Sequence, residues 1–371
     1  MGSRYVTYLT KTENQSTLAQ IFATRPAQGK RQSNSAWPII LINYNLPPEL
    51  RMRVENVILL GVIPGPHSLQ SLDSFFVPFI EECMELMRGV QTFDALARQS
   101  FNLHAYLITA FGDMPAMSKL LGLKGHNGYS PCRFCLIRGE RNLSTGRGPY
   151  YVPLRSPIHP GQPHEDGWDP HNLPERTFDN LCEQLNEIEN ASTLTAHKEL
   201  AKFYGVNEKS RLLRLPSLSF PNAFPPDIMH LFFENICPML RDHWTCSGRY
   251  KDKPPADLGY VLAPHIWEEI GKETARAYRT IPSEFVGAMP DISKSKYKAE
   301  YSSFWTIYFG PILLHNRFPN NKYYNHFCLL VRIIKACLQF TITDKQLEEL
   351  QENIVSWVEK YERRVSGAVI L

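Results

Sequence analysis

The sequence predicts an α/β protein that is mostly helical overall. In its first third, the runs WPIILINYN (37–45) and ENVILLGVIPGP (55–66) have the length and β-branched content of buried strands. From Thr177 onward, apolar residues recur at three- and four-residue steps, which is typical of amphipathic helices. The first part thus follows the order strand, strand, helix, strand, helix, which is the element order of an α/β core layer.

Each element has a local signal in the sequence. Pro47 and Pro48 end the first strand, because proline cannot donate to a sheet ladder. A helix is predicted from Ser71 to Arg88, and a third strand from Phe101 to Phe111 leads directly to Asp113. In the second half, the predicted helices cover 177–204, 227–243, 264–278, 298–315, 322–340 and 344–364.

Composition divides the chain into four parts. Residues 1–35 are polar and are expected to form a disordered lead-in. Residues 36–138 hold the α/β core and a Cys-x-x-Cys pair, and residues 139–176 form an irregular connection rich in Gly, Pro and His. Residues 177–371 are mainly helical, and their last helix begins with the capping box Thr343-x-x-Gln346.

Charge is distributed unevenly along the chain. The net charge of +3 is too small to indicate a nucleic-acid-binding protein by itself. Between Asp113 and Arg155, however, seven cationic residues stand against two acids. This excess suits a DNA phosphate backbone, although a solvated surface would look the same. The cationic residues are Lys119, Lys124, Arg133, Arg138, Arg141, Arg147 and Arg155.

The sequence shows neither a secretion signal nor a membrane-spanning segment, so we expect a protein that is neither secreted nor embedded in a membrane. The first residues lack the apolar core of a signal peptide, and no run approaches the roughly 18 apolar residues of a membrane helix. The eight cysteines lack the spacing of a disulfide framework. A reducing compartment with free or metal-bound thiols is therefore expected.

Asp113 is the first candidate for chemistry. A carboxylate at a strand end can hold a hard cation such as Mg²⁺. The following Met114 and Pro115 also make Asp113 a good helix N-cap, because proline is favoured in the first helical turn. The sequence is compatible with both roles.

Cys132 and Cys135 are the second candidate, as two thiols at the spacing of half a tetrahedral zinc site. His126 and His230 are the available partners for a full ligand set, and redox-active or unligated thiols are the alternative. His230 belongs to the segment Asp227-Ile228-Met229-His230, where it shares a helix face with Glu234. The latter pair fits either a metal site or a structural contact.

Four blocks of the sequence carry a family resemblance. They are WPIILINYNLPPELRMRVENVILLGVIPGPHS, HAYLITAFGDMPAMSKLLGLKGHNGYSPCRFC, PPDIMHLFFENICPML, and the stretch from SSFWTIYFGPILL to WVEKYER. Together they resemble the Tnp2-type transposases of CACTA-like DNA transposons, in the form found in mushroom-forming fungi. The resemblance covers residues 37–363 and implies a nuclear protein that binds transposon-end and target DNA, with possible homo-oligomers.

The resemblance also implies a fold and a chemistry. Such transposases have an RNase H-like core, here partial and with a large, mainly α-helical insertion, and three acids that hold Mg²⁺ or Mn²⁺ for DNA cleavage and strand transfer. Asp113 matches the second acid of the set, Cys132 and Cys135 match a zinc-binding pair, and Asp227 to His230 matches the family's D-x-M-H block.

Departures from the family pattern limit the implied activity. The first acid is expected just before the WPI strand, but no acid lies between Glu13 and Glu49. The third acid and the remaining zinc ligands are expected beyond WVEKYER. We therefore expect a fragment that lacks two of three acids and is inactive as it stands. The alternatives are a non-catalytic DNA- or protein-binding remnant of a transposase, and an unexpressed gene remnant.

Overall fold

The computed structural model describes residues 36–64, 73–139, 152, 168–248, 258–282 and 285–364. The lead-in expected at 1–35, most of the connection expected at 139–176, and Arg141, Arg147 and Arg155 lie outside the described residues. More of the described residues lie in helices than in strands, in agreement with the mixed α/β class predicted from the sequence.

The chain divides into two compact units. The first contains the described residues up to Val152 together with those from Asn172 to Asp227. The second contains the described residues from 168 to His171 and all those from Ile228 onward. Each unit has its own hydrophobic core.

The strands of the first unit form two small antiparallel sheets among the described residues. β1 (Ala36–Ile42) pairs with β2 (Val57–Pro64), and a bulge interrupts the register between Ile39 and Ile40. β3 (Val90–Asp94) pairs with β4 (Gln99–Leu103) as a hairpin. The first sheet corresponds to the two strands predicted from the apolar runs, whereas the hairpin was not predicted.

The predicted third strand is wrong beyond Leu103. Residues 104–113 have no regular secondary structure, although Leu107 and Ala110 are buried. The backbone N–H of Ala110 and the hydroxyl of Thr109 both donate to the carbonyl of Ala223, at 2.9 and 3.0 Å. The apolar run therefore signals burial correctly, but these two donors bond a distant loop and not a neighbouring strand.

The helices of the first unit surround this apolar segment. They are α1 (Pro48–Arg51), α2 (Asp73–Arg88), α3 (Met114–Leu120), α4 (Phe178–Glu189) and α5 (Leu194–Tyr204), with 3₁₀ turns at Val54–Asn56 and Arg211–Arg214. The single helix predicted over 177–204 is wrong in its middle. Asn190 ends α4, and the Thr193 side chain accepts the N–H of Ala196 to begin α5.

The core of the first unit joins its sheet to its helices. Ile63 of β2 and Ile80 of α2 pack in the same cluster as Met117 of α3 and Leu181 of α4, all at most 2% exposed. Burial of each such side chain stabilises the fold by roughly 1.5–3 kcal/mol before entropy is counted. The segment from Asp113 to Gly139 is thus anchored on this core at its α3 end.

The second unit is helical throughout its described residues. Its elements are a π-helix at Met229–Ile236, α6 (Cys237–Trp244), a 3₁₀ turn at Leu258–Tyr260, α7 (Pro264–Ala277), a 3₁₀ turn at Tyr278–Thr280, α8 (Ala299–Phe304), a π-helix at Trp305–Phe309, α9 (Gly310–Leu313), α10 (Asn321–Cys337) and α11 (Asp344–Arg364). The sequence predicted ordinary helices over both π segments. A wider turn leaves the apolar spacing almost unchanged, so periodicity does not reveal it.

Aromatic packing holds the second unit together. Trp244 meets Phe318 and Phe327 edge-on at 5.5 and 5.4 Å between ring centroids, and Trp305 lies 6.0 Å from Trp267. Edge-to-face pairs at these distances add to the burial energy of the rings. The capping box at Thr343 and Gln346 is confirmed by their reciprocal hydrogen bonds. Among the described residues, the helices are too short or too polar to cross a bilayer.

Candidate metal and nucleic-acid site

Asp113 lies at the N-terminus of α3 and caps it. Its Oδ1 accepts the backbone N–H of Ala116 at 2.7 Å, and the residue is only 6% exposed. The capping role is confirmed, and it satisfies one of the orphan N–H groups of the helix. The strand-end placement is wrong, because β4 ends ten residues earlier, at Leu103.

Cys132 and Cys135 face each other in the loop after α3. The thiol of Cys135 hydrogen-bonds the sulfur of Cys132, which also accepts the backbone N–H of Phe134 at 3.3 Å. The hydrogen bond from Cys135 lowers the pKa of Cys132, and the same bond raises the pKa of Cys135. Cys132 is therefore the more readily ionised of the two thiols.

A buried cation lies beside the two sulfurs. Arg176 is 1% exposed, and its guanidinium donates to Gln184 Oε1 at 3.0 Å and to the Tyr204 carbonyl at 2.9 Å. Its charge further favours the thiolate of Cys132. Its Nε is buried without a hydrogen-bond partner in the described structure. Because a buried donor without an acceptor costs stability, this N–H near the sulfurs of Cys132 and Cys135 is compatible with ionised sulfur there.

The loop that carries the thiols, residues 121–139, is fixed at both sides. Arg133 donates from Nε to the Phe224 carbonyl at 2.6 Å and from Nη2 to the Pro225 carbonyl at 2.8 Å. The hydroxyl of Ser130 donates to the Phe203 carbonyl at 2.7 Å. These hydrogen bonds make the loop part of the folded unit, which keeps the two sulfurs in place.

Gly205 is required where the loop meets the end of α5. It has a φ of +72°, and a Cβ there would overlap the carbonyl oxygen of Ser130. Its own carbonyl accepts the N–H of Lys124 at 2.8 Å, and Leu123 bridges to Val206. Only glycine allows both the left-handed conformation and this close approach.

The thiol pair fits half of a zinc site. Two thiolates with a backbone N–H on one sulfur are suitable ligands, but zinc takes four. In the described ranges, there is no group of three or more His, Cys, Asp or Glu residues placed to hold a metal ion. The exposed His126 thus does not complete the set with the two cysteines. All eight cysteines lie in the described residues, and none of them forms a disulfide there.

The D-x-M-H segment spans the position in the sequence where the first unit ends and the second begins. Asp227 is the last residue of the first unit and directly precedes the helical turn at Ile228. His230 and Glu234 do share a face, with 3.7 Å between Nε2 and Oε2. This confirms the spacing argument, and no group of three metal-ligating side chains in the described residues includes the two.

A two-metal site for Mg²⁺ or Mn²⁺ does not fit the described residues. Such a site needs several carboxylate or phosphate oxygens. Asp113 is a nearly buried carboxylate, and one of its oxygens is already used by the N–H of Ala116.

The predicted basic residues separate into two groups. Lys119, Lys124 and Arg138 are exposed, and the first and last of these lie over aromatic rings, Trp37 at 5.1 Å and Phe203 at 4.3 Å. The guanidinium of Arg133, in contrast, donates hydrogen bonds to two backbone carbonyls. The exposed three can meet a phosphate backbone, whereas Arg133 holds the loop.

Sequence reasoning missed the residues after position 170 that contact the thiol loop. Arg176 and Phe203 both contact the thiol loop, yet each sits in an ordinary charged or helical stretch. The Arg176 N–H pairs with the Phe134 carbonyl at 2.9 Å, a contact across more than 40 residues of sequence. A local pattern carries no signal for such a contact.

Comparison with known proteins adds one match. Residues 23–155 match a family model described as Transposase family tnp2. No curated protein matches the chain. The matched range includes Asp113, both cysteines and the three exposed basic residues. The match supports a transposase family as the origin of this chain.

Proposed function

We propose that this chain is a transposase-derived DNA-binding protein that does not cleave DNA by itself. The observation that carries the proposal is the match of residues 23–155 to the tnp2 transposase family. The ancestral activity would be metal-dependent DNA cleavage and strand transfer. The finer assignment, a Tnp2-type transposase of a fungal CACTA-like transposon acting in the nucleus, rests on the sequence blocks quoted above.

The fold assignment belongs to the same proposal. We assign β1, β2 and α2 to a partial RNase H-like core, and the second unit to its mainly helical insertion. The antiparallel pairing of two nearly all-apolar strands followed by a helix is compatible with the start of such a core.

DNA binding would use the exposed cations of the first unit. Lys119, Lys124 and Arg138 lie within 20 residues of each other on α3 and on the loop that follows it. Lysine and arginine at a surface neutralise phosphates and release counterions, which gives affinity without sequence specificity. Self-association of the chain stays a prediction, to be tested by sedimentation velocity.

Loss of cleavage is supported by the role that Asp113 has in the fold. The Asp113 carboxylate is only 6% exposed, and one of its oxygens already accepts the Ala116 N–H that begins α3. Incubation of the purified chain with transposon-end duplexes and Mg²⁺ or Mn²⁺ tests this part. We expect bound but intact DNA. Cleavage that disappears in Asp113→Asn, which keeps the cap, would overturn the inactive assignment.

Zinc at Cys132 and Cys135 is a separate proposal. The two thiols would supply two ligands, and the others would come from outside the described cluster. Bound zinc would serve as a structural link that holds the loop. Metal analysis of the purified protein should find zinc that is lost in Cys132→Ser. The half-buried Cys182 of the same unit is the control. Zinc absent from the wild type, or unchanged by Cys132→Ser, would contradict the proposal.

A further inference from the structure

An aromatic and cationic surface flanks the thiol loop on the first unit. The guanidinium carbon of Arg138 lies 4.3 Å from the centroid of the Phe203 ring. Tyr129 lies on the same ring at 6.2 Å with an interplanar angle of 32°, and Tyr204 meets it edge-on at 5.2 Å. Phe203 is 40% exposed although its ring is large and apolar. We call Arg138, Phe203, Tyr129 and Tyr204 the stacking surface.

The stacking surface is held rigidly by backbone hydrogen bonds. The Gly139 N–H donates to the Tyr129 carbonyl at 2.7 Å, which brings Arg138 and Tyr129 together across the base of the loop. The Ser130 hydroxyl and the Arg176 guanidinium donate to the carbonyls of Phe203 and Tyr204. The rings are therefore ordered before any ligand arrives, which reduces the entropy lost on binding.

Charges of both signs surround the stacking surface, and the cation Arg138 lies directly over its central ring. Lys124 lies beside the end of α5 and Lys202 directly precedes Phe203, and both are exposed. Two acids lie nearby: Glu187, which accepts the hydroxyl of Tyr204, and Glu199, one turn before Phe203. Arg138 and Lys124 are the cations whose contacts lie at this surface, and Glu187 is already hydrogen-bonded.

We infer that the stacking surface binds an unpaired base of single-stranded DNA. Bases stack on aromatic rings and on guanidinium planes, while lysines beside them bind the backbone. In a duplex the faces of the bases are covered by their neighbours, so only an unpaired strand can use this surface. The inference rests on the proposed DNA binding. It adds that the protein prefers an unpaired strand and that the stacking surface binds its bases.

The test compares two probes on the full chain. Fluorescence anisotropy gives the affinity for a labelled oligothymidine of about 15 nucleotides, a typical site size, and for a duplex of the same length. In Phe203→Leu, which keeps an apolar side chain, we expect single-strand binding to weaken by about 5- to 150-fold, the usual effect of losing one stacked base. Duplex binding should change by less than about 2-fold, because phosphate contacts carry it.

Matched variants separate stacking from charge and folding. Phe178 of α4 is 38% exposed with Lys209 over its ring at 5.7 Å, so Phe178→Leu is the control that should leave both affinities unchanged. Arg138→Lys keeps the charge but removes the planar group, and it should weaken single-strand binding alone. Circular dichroism melts check that each variant is folded.

The outcomes of these experiments distinguish base stacking at this surface from the general DNA binding proposed above. Binding of duplex and single strand that Phe203→Leu leaves unchanged would overturn the stacking surface and leave the DNA-binding proposal standing. Failure to bind either probe at low salt would overturn the DNA-binding proposal itself. Unchanged DNA binding with loss of self-association in Phe203→Leu would assign the surface to a protein contact, and so would also overturn the inference.

Discussion

At the scale of single residues, two side chains singled out by the sequence serve the fold. Asp113 caps α3, and Arg133 fastens the thiol loop to the carbonyls of Phe224 and Pro225. Sequence patterns identify such residues because caps and loop cations have characteristic neighbours. They do not tell whether a charge points to solvent or to a backbone carbonyl, which depends on segments about 90 residues apart.

Removal of the cap should cost stability. We expect Asp113→Ala to lower the free energy of unfolding by about 1 kcal/mol, because the N–H of Ala116 loses its acceptor at a nearly buried helix end. Asp113→Asn should retain most of the stability, since its amide oxygen can accept the same N–H. Urea unfolding of both variants measures the difference. Equal stability of Asp113→Ala and wild type would argue against the cap.

The two classes of basic residue should respond differently to substitution. Arg133→Met should destabilise the first unit by roughly 2 kcal/mol or more, because it leaves two carbonyls without their charged donor. Lys124→Met, at an exposed position, should leave stability unchanged and weaken DNA binding. Thermal melts and binding isotherms on the same preparations separate the two effects. The reverse pattern would contradict the assignment of the two side chains.

At the scale of elements, the thiol loop and the end of α5 act as one structure. Leu123 bridges to Val206, Lys124 donates to Gly205, and Ser130 donates to Phe203. The loop thereby places the thiol pair and the stacking surface side by side. This arrangement needs the break between α4 and α5, which orients the end of α5 toward the loop.

Gly205 gives the sharpest test of that contact. Gly205→Ala should cost about 1–2 kcal/mol for the left-handed conformation, and more for the overlap with the Ser130 carbonyl. It should also raise the reactivity of Cys132 and Cys135 toward alkylating reagents, as the loop detaches. Gly61→Ala is the control, because a Cβ there would have no atom within 4 Å. Unaltered stability and thiol reactivity in Gly205→Ala would contradict the proposed contact between the thiol loop and the end of α5.

At the scale of the whole molecule, the two units have cores of different character, aliphatic in the first and aromatic in the second. The sequence predicted the elements of both units in part. Apolar runs located β1 and β2, and helical periodicity located α7, α10 and α11 closely. Both methods read only local spacing, so they assigned Leu107 and Ala110 to a strand. They also missed Arg176, whose burial depends on the thiol loop.

Acid should weaken the second unit through His243. Burial lowers the pKa of this side chain to about 4, partly opposed by Asp242, and its Nε2 lies 3.0 Å from the Tyr361 hydroxyl. The unfolded chain binds a proton near pH 6.5, before the folded chain does. Stability from this group is thus complete above pH 6.5 and is lost as the pH falls toward 4, by roughly 2–3 kcal/mol.

Urea unfolding at pH 7 and pH 5, followed by tryptophan fluorescence, measures this loss. His243→Phe should reduce the pH dependence, whatever its effect on absolute stability. Substitution of the exposed His265 by Gln is the control and should retain the wild-type dependence. A wild-type protein equally stable at both pH values would contradict the role given to His243.

The salt dependence of duplex binding tests the central proposal most directly. For the wild type, the logarithm of the association constant should fall linearly with the logarithm of salt concentration between about 50 and 200 mM. If Lys119, Lys124 and Arg138 each meet a phosphate, their joint replacement by Met should reduce the slope by about 3, while Arg133→Met leaves it unchanged. A wild-type affinity that does not vary with salt, or a slope unaltered by the triple substitution, would contradict DNA binding at this surface.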